Sequence, residues 1–462
     1  MNRKILNYIV FISALAIVLA SCKVTKSYQQ PVINTDSLFR DRTTTDTTTI
    51  ADLHWNKLFT DPVLQNLISE GIAHNLDLKM AFSRIQQSQA YYLQSGAAFF
   101  PTLNANAGAG FAEISKTQAS GLNRATQFQL GVSSSWEADI WGKLSSSKRA
   151  SLAGLLQTES AARAVQTNLV ASIANYYYSL LTLDRQLSIT RQTINNWDTT
   201  VQTMQALKEA GTVTEAAVVQ SQAQRYAAEV TIPDLKQNIK ETENALSILL
   251  GRPPSAIERS AIEREQPAHY LETGVPTQLL ANRPDVQQAE QNFRYYFELT
   301  NVARAYFYPS LTITGSAGIN ALTFSDLFRP GSLAASIGAG LTQPIFDRRQ
   351  NKTRLEVAKS QQQEALYNFQ NTLLNAGREV LDAISLYQTA NEKITIRVNQ
   401  MDALRKSVQY TQELLRNGFA NYTEIITARQ SLLQAELGSV NDHLQQLQAV
   451  VNLYSSLGGG WK

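Results

Sequence analysis

The sequence predicts a mainly α-helical protein with four transmembrane β-strands, built as two structural repeats. The first observation is a duplication: Asn75–Leu78 returns as Arg283–Val286, and Phe100–Leu103 returns as Tyr308–Leu311, both at an offset of 208 residues. The second is a pair of hydrophobic periods. Short stretches alternate with period two, which is typical of strands, and long stretches have a mean period of about 3.5, which is typical of packed helices.

The first 21 residues have the features of a bacterial lipoprotein signal peptide. Basic residues precede an apolar stretch, Ile9–Leu19, that is too short for a comfortable membrane span. The Leu-Ala-Ser sequence before Cys22 resembles a lipobox, so we expect Cys22, the only cysteine, to become an acylated N-terminus. The alternative is an incidental cysteine in an ordinary signal peptide. Residues 22–60 are rich in threonine and are predicted to form a lipidated arm and linker.

Repeat 1 covers residues 61–255. A helical pattern is followed by two predicted strands, 101–112 and 126–138, in which apolar residues alternate with Asn, Gln, Gly and Ser. The outgoing helix of a long hairpin then runs for roughly 65 residues, which makes a rod of about 100 Å. Gly211 marks the end of this hairpin because glycine stops helices, and Thr212 with Glu215 can cap the return helix.

An apolar seam on the outgoing helix predicts coiled-coil packing. Its residues are Leu169, Ile173, Tyr176, Leu180, Leu183, Leu187, Thr190, Ile194, Trp197, Val201 and Met204. Alternating spacings of four and three keep such a seam against a neighbouring helix. We expect the seam to continue on a single return helix through Leu235, Ile239, Thr242, Leu246 and Leu249.

Residues 256–282 contain several prolines and are predicted to be a linker that flanks the helices. Repeat 2 covers 283–462, with a helix, strands at 309–320 and 332–343, and a hairpin that ends near Gly418. Asn421 with Glu424 can cap its return helix. Arg283-Pro284-Asp285 has the form of a helix start, since proline fits the first turn and aspartate complements the helix dipole.

Four amphipathic strands cannot close a membrane barrel by themselves. An unpaired strand edge in lipid costs several kcal/mol per unsatisfied backbone group, and membrane barrels begin at about 8 strands. Several chains must therefore each contribute four strands if these strands cross a membrane. Two chains would give a lumen filled with side chains, whereas three would leave room for water. Small polar residues on one side of the strands favour the wet lumen, and a soluble sandwich with long hairpins is the alternative.

Composition and motifs argue against other classes of protein. Net charge is +3, from 41 basic and 38 acidic residues, which gives no support to nucleic-acid binding. The four histidines have no metal-ligand spacing around them, and an acylated Cys22 would not be a nucleophile. We therefore expect no enzyme activity, no catalytic or cofactor-binding residues, no metal site and no cofactor.

The whole mature chain resembles the TolC-like outer-membrane factor family, in its lipoprotein branch of RND-type efflux channels (OprM-like). The stretches that carry the resemblance are Gly274–Val286, Ala305–Leu311, Gln343–Asp347 and Leu457–Trp461. The resemblance implies a homotrimer with a 12-stranded outer-membrane β-barrel continued by a periplasmic α-helical coiled-coil barrel, and it makes 256–282 an equatorial linker. It also implies a periplasmic adaptor (membrane fusion) protein, an inner-membrane RND-type pump and outer-membrane lipid as partners.

The resemblance also suggests site residues at the hairpin ends. Glu424 and Thr427 are the candidate periplasmic gate, where three Glu424 carboxylates around a threefold axis would repel one another and favour cations. Alternatively, Glu424 only caps its helix. Thr427 stands where relatives carry an acid, and Ala420 where some do, so the acidic ring is thinner than usual. The candidate surface for adaptor docking consists of Gly211, Thr212, Val213, Gly418, Phe419 and Ala420.

The predicted function is the outer-membrane exit duct of a tripartite efflux system. The duct would passively conduct drugs, metals or other small molecules, and the protein would be lipid-anchored with a large periplasmic portion. One alternative is an exit duct of the same fold for type I protein secretion. Another is a lipid-anchored periplasmic coiled-coil scaffold without a pore.

Overall fold

The structure is a computed structural model that describes residues 24–33, 38, 47–113, 124–265 and 273–462. The described residues fall into two compact units. Unit 1 contains 84–159, 288–369 and the described part of the chain up to Val32, and unit 2 contains the rest. Each unit therefore takes segments from both halves of the chain. Cys22 and the predicted signal peptide lie outside the described residues.

Helices and strands follow one another in a similar order in the two halves. The first half contains α1 Trp55–Leu58, α2 Pro62–His74, α3 Leu76–Ala97, β1 Thr102–Glu113, β2 Arg124–Ala138, α4 Lys143–Glu209, α5 Glu215–Glu229 and α6 Thr231–Leu249. The second half contains α7 Gln278–Asn282, α8 Pro284–Ala305, β3 Ser310–Ala321, β4 Leu333–Thr342, α9 Gln350–Arg416 and α10 Tyr422–Ser456. Each strand begins and ends within two residues of the span that the sequence predicts.

Capping side chains set where several helices begin. Asp61 caps α2 by accepting a hydrogen bond from the backbone amide two residues later, at 2.8 Å. Asn75 accepts from the amide of Leu78 at the start of α3, at 2.9 Å. Pro284 is the first residue of α8 and Asp285 lies in its first turn, where their chemistry predicts them.

The four strands form one antiparallel sheet in unit 1, in the order β1-β2-β3-β4. The register pairs Ala107 with Leu130, Leu130 with Ile319, and Ile319 with Leu333. Paired residues of antiparallel strands project to the same face, so the apolar alternation is in phase across the whole sheet. β1 and β4 each have one strand neighbour in the described chain.

The two outgoing helices, α4 and α9, are each 67 residues long. Seven of the eleven predicted seam residues of α4 are buried: Leu169, Ile173, Leu180, Thr190, Ile194, Trp197 and Met204. Tyr176 departs from the prediction, since it is 40% exposed while Tyr177 is fully buried. Tyr177 takes the inward position because its hydroxyl finds hydrogen-bond partners there, among them Ser260 at 3.1 Å.

The return helix of the first half is broken, which the seam did not predict. α5 ends at Glu229 and α6 begins at Thr231, so Val230 separates two helices. Pro233 explains the break, because it has no N–H to donate to the carbonyl four residues earlier and its ring crowds that turn. The corresponding helix α10 contains no proline and runs for 35 residues without interruption.

Each return helix is followed by a glycine that is pressed against the end of an earlier helix in the same half of the chain. Gly251 has φ +71°, and a Cβ added to it would lie 2.4 Å from the carbonyl oxygen of His74. Gly458 has φ +90°, and its added Cβ would lie 2.3 Å from the carbonyl oxygen of Asn282. The two contacts are separated by the offsets that relate the two halves of the sequence.

The residue after each of these carbonyls donates to the end of the return helix. Asn75 Nδ2 donates to a carbonyl of α6, and Arg283 Nη1 donates to the carbonyl of Ser456, both at 2.9 Å. Arg283 is only 7% exposed and forms ion pairs with Asp285 at 2.6 Å and with Glu379 at 2.7 Å. The Arg-Pro-Asp motif is thus structural, as its chemistry predicts.

Candidate functional site

The sheet of unit 1 has one apolar and one polar face. The apolar face carries Leu103, Phe111, Phe128, Leu130, Val132, Trp136, Leu311, Ile313, Ile319, Leu333, Ile337 and Leu341. The polar face carries Asn104, Asn106, Gln127, Gln129, Ser133, Ser135, Thr312, Thr314, Ser316, Asn320 and Ser336. These side chains are uncharged; the face also carries Glu137, at the end of β2, which forms an ion pair with Lys143 at 2.6 Å. The face therefore suits contact with water.

Much of the apolar face is exposed in the chain. Leu103 is 73% exposed and Ile337 is 86% exposed. On the other face, Asn106 Nδ2 donates to Ser133 Oγ at 3.0 Å, and the hydroxyls of Ser316 and Ser336 lie 2.8 Å apart. A sheet with an apolar medium on one side and water on the other satisfies both faces.

Aromatic residues with polar ends mark the end of the sheet where β1 and β3 start. Trp136 Nε1 donates to the carbonyl of Phe99 at 2.8 Å, and Trp141 Nε1 donates to that of Pro309 at 2.7 Å. The ring of Tyr308 lies 5.0 Å from that of Trp141. Such side chains, apolar in body and polar at one end, are enriched at the boundary between lipid and water.

The N-terminal arm, residues 24–33, is attached to α8 in unit 1. The backbone of Lys26 exchanges two hydrogen bonds with the side-chain amide of Asn301, at 3.0 and 2.9 Å. Tyr28 packs its ring against Phe293 and Phe297, and its hydroxyl donates to Glu290 at 3.3 Å. The arm is therefore anchored by side chains of one helix.

The two hairpin ends in unit 2 have the same backbone geometry. Gly211 and Gly418 have φ +74° and +78°, and an added Cβ would meet nothing within 4 Å at either position. At each end the glycine amide bonds a carbonyl three residues back, and the next amide, of Thr212 or Phe419, bonds one five residues back. This is the Schellman arrangement, in which glycine is favoured for its positive φ.

The capping of the return helices matches the prediction at one end only. The N-cap of α5 is Thr214, without a side-chain hydrogen bond, so the predicted capping role of Thr212 is wrong. Asn421 is the N-cap of α10 and accepts from the amide of Thr423 at 3.3 Å, as predicted. Each N-cap lies three residues after its glycine, so the turns are equally long and Thr212 corresponds to Phe419, two residues before the cap.

One hydrophobic cluster holds the two hairpin ends together. Its buried residues are Met204, Ala217, Val218, Leu415 and Ile425. Val213 and Ala420 pack against this cluster and are half-buried, whereas Gly211, Thr212 and Gly418 are exposed and Phe419 is 82% exposed. The candidate docking residues therefore divide into a packed pair and an exposed set.

Glu424 and Thr427 lie on one exposed side of α10, since they are three residues apart, while Ile425 and Ile426 between them are buried. In the part of the chain that the structure describes, the Glu424 carboxylate has no hydrogen bond or ion pair. Thr427 Oγ1 donates to the carbonyl of Thr423 at 2.9 Å. Asn421 supplies the capping hydrogen bond of α10, so the Glu424 carboxylate is not needed as the helix cap.

A buried polar cluster that the sequence did not reveal joins α2, α4 and the linker. Ser260 Oγ donates to Asp61 Oδ2 at 2.6 Å, and the Tyr177 hydroxyl donates to the same oxygen. Burial alone would raise the pKa of Asp61, but the hydrogen bonds from Ser260, Tyr177 and the Val63 amide hold it below its usual value. Burial, together with the adjacent Asp61, raises the pKa of Glu265 to about 7.

The described ranges contain neither a metal site nor a membrane-spanning helix. In those ranges no group of three or more His, Cys, Asp or Glu side chains is placed to hold a metal ion. None of the helices found there is both long enough and apolar enough to cross a membrane. His54 accepts a capping bond in α1, and burial lowers the pKa of His443.

Comparison with known proteins identifies relatives over most of the chain. The family model described as "Outer membrane efflux protein" matches residues 67–252 and again residues 275–459. The chain is 26% identical over 451 residues to the cation efflux system protein CusC of Escherichia coli O6:H1, covering 97% of each chain. It is 27% identical to the probable outer membrane lipoprotein SilC of Salmonella typhimurium, covering 96% of this chain and 97% of SilC.

A third relative and a solved structure extend the comparison. The toluene efflux pump outer membrane protein TtgC of Pseudomonas putida is 28% identical over 458 residues, covering 96% of this chain and 94% of TtgC. The structure of the outer-membrane channel OprN superimposes with a TM-score of 0.87 at 25% identity, covering 95% of this chain and 100% of OprN.

Proposed function

The chain belongs to the outer membrane efflux protein family, and from this premise we propose that three copies of it form the exit duct of a tripartite efflux system. The protein is an outer-membrane efflux channel with a large periplasmic portion. The finer proposals concern the trimer, its 12-stranded barrel, its coiled-coil barrel of helices, the gate and the lipid anchor. The two matches of one family model also support two structural repeats per chain.

One observation carries the proposal. The four strands have their apolar side chains in phase, and among the described residues each of the two outer strands has a single strand neighbour. In lipid, each unpaired backbone group costs several kcal/mol, so β1 of one copy must pair with β4 of the next. Three copies supply 12 strands, enough for a water-filled lumen lined by the polar face.

Disulfide trapping between copies tests this closure. Single cysteines on the polar face of β1, at Asn104, Asn106 or Gly108, are combined with single cysteines on β4, at Ser336 or Gly338. Oxidation in outer membranes should trap dimers and trimers and nothing larger, because a closed ring exhausts its edges after three copies. A matched control places both cysteines on β2 and β3, for example at Gln129 and Asn320, which pair within one chain and should leave it monomeric.

Conductance in planar bilayers supplies the second readout. Trapped trimers should conduct ions in discrete steps, which a periplasmic scaffold without a pore would not do. A chain that stays monomeric in mild detergent and gives no conductance would contradict the proposal. Retained conductance with failed export of small molecules in cells would instead favour the duct for protein secretion.

We place the gate and the adaptor surface at the hairpin ends. Two observations support this: Glu424 is exposed and unpaired in the described chain, and Phe419 projects from a turn whose neighbours Gly211 and Thr212 are also exposed. Three Glu424 carboxylates around the threefold axis would attract cations, with Thr427 as the uncharged position one turn on. The exposed residues of the ends would receive a periplasmic adaptor linked to an inner-membrane RND-type pump.

The lipid anchor follows from the arm. Lys26, which is bound to Asn301, is four residues from Cys22, and extended chain spans at most about 3.6 Å per residue. An acyl chain on Cys22 would therefore be tethered within about 15 Å of this bond. The relative SilC is described as a lipoprotein, which supports the assignment. Intact-mass measurement of the mature protein, with and without Cys22→Ser, tests it.

A further inference from the structure

Residues 344–352 form the turn between β4 and α9 together with the first three residues of α9. We call this segment the basic turn, and the side chains that it exposes are unusual. Ile345 is 99% exposed and Phe346 is 86% exposed, so two adjacent large apolar side chains project from the protein. They follow β4 at the end of the sheet where β3 begins, since Ser310 pairs with Thr342. The aromatic residues Trp141 and Tyr308 lie at that same end.

The backbone of the basic turn is strained at two consecutive residues. Arg348 has φ +52° and Arg349 has φ +70°, and among the described residues these are the non-glycine residues with positive φ. L-residues disfavour this region, and glycine would adopt it readily. A strained conformation with long charged side chains points to a role for those side chains, because glycines would form the turn more easily.

Hydrogen bonds hold the backbone of the basic turn in place, and its basic side chains remain exposed to solvent. Asp347 Oδ2 accepts from the amide of Asn351 at 2.8 Å, and Asn351 Nδ2 donates to the carbonyl of Tyr306 at 3.1 Å. The one acid of the turn is thereby engaged at the start of α9. Arg348 and Lys352 are exposed. The Arg349 side chain is 65% exposed, and its Nη2 lies 3.6 Å from a Glu356 carboxylate oxygen.

We propose that the basic turn is a docking element for the phosphate headgroups of the bilayer. Ile345 and Phe346 insert below the headgroups, and Arg348, Arg349 and Lys352 bind their phosphates. Apolar residues followed at once by cations are the arrangement that the lipid boundary selects, because each meets its own medium there. The inference rests on the proposed membrane-crossing sheet and adds a lipid ligand to it.

Site-specific fluorescence tests the insertion in the full-length acylated protein, reconstituted into vesicles of phosphatidylethanolamine and phosphatidylglycerol. Acylated Cys22 does not react with thiol reagents, so a dye such as NBD labels only an added cysteine. Phe346→Cys should be quenched by lipids brominated near the headgroup. Ile337→Cys, on the apolar face of β4, should be quenched by lipids brominated deep in the chains. Phe419→Cys, at a hairpin end, should be quenched by neither.

These variants separate the inference from the function on which it rests. Quenching at residue 337 without quenching at residue 346 would overturn the docking element and leave the membrane-crossing sheet intact. Absence of quenching at both positions would overturn both. The dye at residue 346 could also be equally buried in detergent and in every lipid mixture. A second copy of the chain, and not lipid, would then cover this surface, which would overturn the proposal as well.

Charge variants test the headgroup contact. In the labelled F346C protein, the amount of phosphatidylglycerol needed for half-maximal blue shift should rise about fivefold for each arginine removed, or about 30-fold for R348Q/R349Q. R348G/R349G should show the same loss with unchanged or higher thermal stability, because glycine relieves the strained φ. R416Q, in the last turn of α9, is the control and should change nothing. An R348G/R349G protein with undiminished lipid dependence would refute the proposal.

Discussion

Replacing Glu265 with glutamine should remove a pH dependence from the linker of unit 2. Glu265 is 6% exposed. Burial, and then the adjacent Asp61, raise its pKa from the usual 4.5 to about 7. A raised pKa means that the folded state holds the proton more tightly than the unfolded state does. The stabilisation is therefore complete below about pH 4.5 and is lost as pH rises through about 7.

The size of this effect follows from the shift. One pKa unit corresponds to about 1.4 kcal/mol, so the shift of Glu265 is worth at most about 3 kcal/mol. The lowered pKa of Asp61 contributes stability that is lost only as pH falls below its usual range, so it leaves the interval from pH 5 to 8 undisturbed. Glutamine imitates the protonated, neutral carboxyl. Glu265→Gln should therefore match the parent near pH 5 and exceed it near pH 8.

Hydrogen exchange at the Ser260 amide, in the reconstituted protein, measures how the local stability of this cluster depends on pH. The Ser260 amide donates to the Tyr177 hydroxyl at 3.1 Å, so it exchanges only when the cluster opens. After correction for intrinsic exchange, its protection should fall by up to about two decades between pH 5 and pH 8 in the parent, and should stay level in Glu265→Gln.

The neighbouring Glu263 supplies the control. It is exposed, and its ion pair with Arg185 at 2.9 Å is of the kind that contributes little. Glu263→Gln should therefore follow the parent at every pH. The reasoning fails if protection at Ser260 is independent of pH in the parent, or if Glu265→Gln loses protection as the parent does.

Four further substitutions have defined outcomes. Gly211→Ala should lower the free energy of unfolding by only about 1 kcal/mol, since its Cβ meets open space, whereas Gly251→Ala should cost several times more because its Cβ overlaps a carbonyl oxygen; denaturant melts compare the two. Arg283→Met should destabilise unit 2 by about 1–3 kcal/mol, because the buried carbonyl of Ser456 loses its donor, and an unchanged melting temperature would contradict this. Glu424→Gln should reduce the preference of single channels for cations, which reversal potentials in a salt gradient report; an unaltered preference would leave Glu424 outside the gate.

Local chemistry made much of the fold predictable. Period-two alternation located the strands to within two residues, and Pro284 with Asp285 marked the start of α8. Gly211 and Gly418 predicted the hairpin ends, because a turn of this kind needs a residue with positive φ and glycine adopts that conformation readily. The prediction of an unbroken return helix was wrong for a local reason as well. Pro233 breaks the helix, although the hydrophobic spacing continues across it.

The buried polar cluster could not be predicted in this way. Asp61, Tyr177, Ser260 and Glu265 come from distant parts of the sequence, and each is an ordinary polar residue in its own segment. Tyr177 stands beside the seam residue Tyr176, and only the presence of a partner for its hydroxyl decides which of the two turns inward.

The amino-acid sequence by itself determined the repeat, the two periodicities and the family, because these depend on the order of residues along one segment. The tertiary structure decided that the apolar residues of four separate strands share one face of the sheet and that both hairpin ends pack on one cluster. It also decided that Glu265, with a pKa of about 7, is buried beside Asp61. These depend on strand register and on distances between remote segments, which are set by how the pieces pack together.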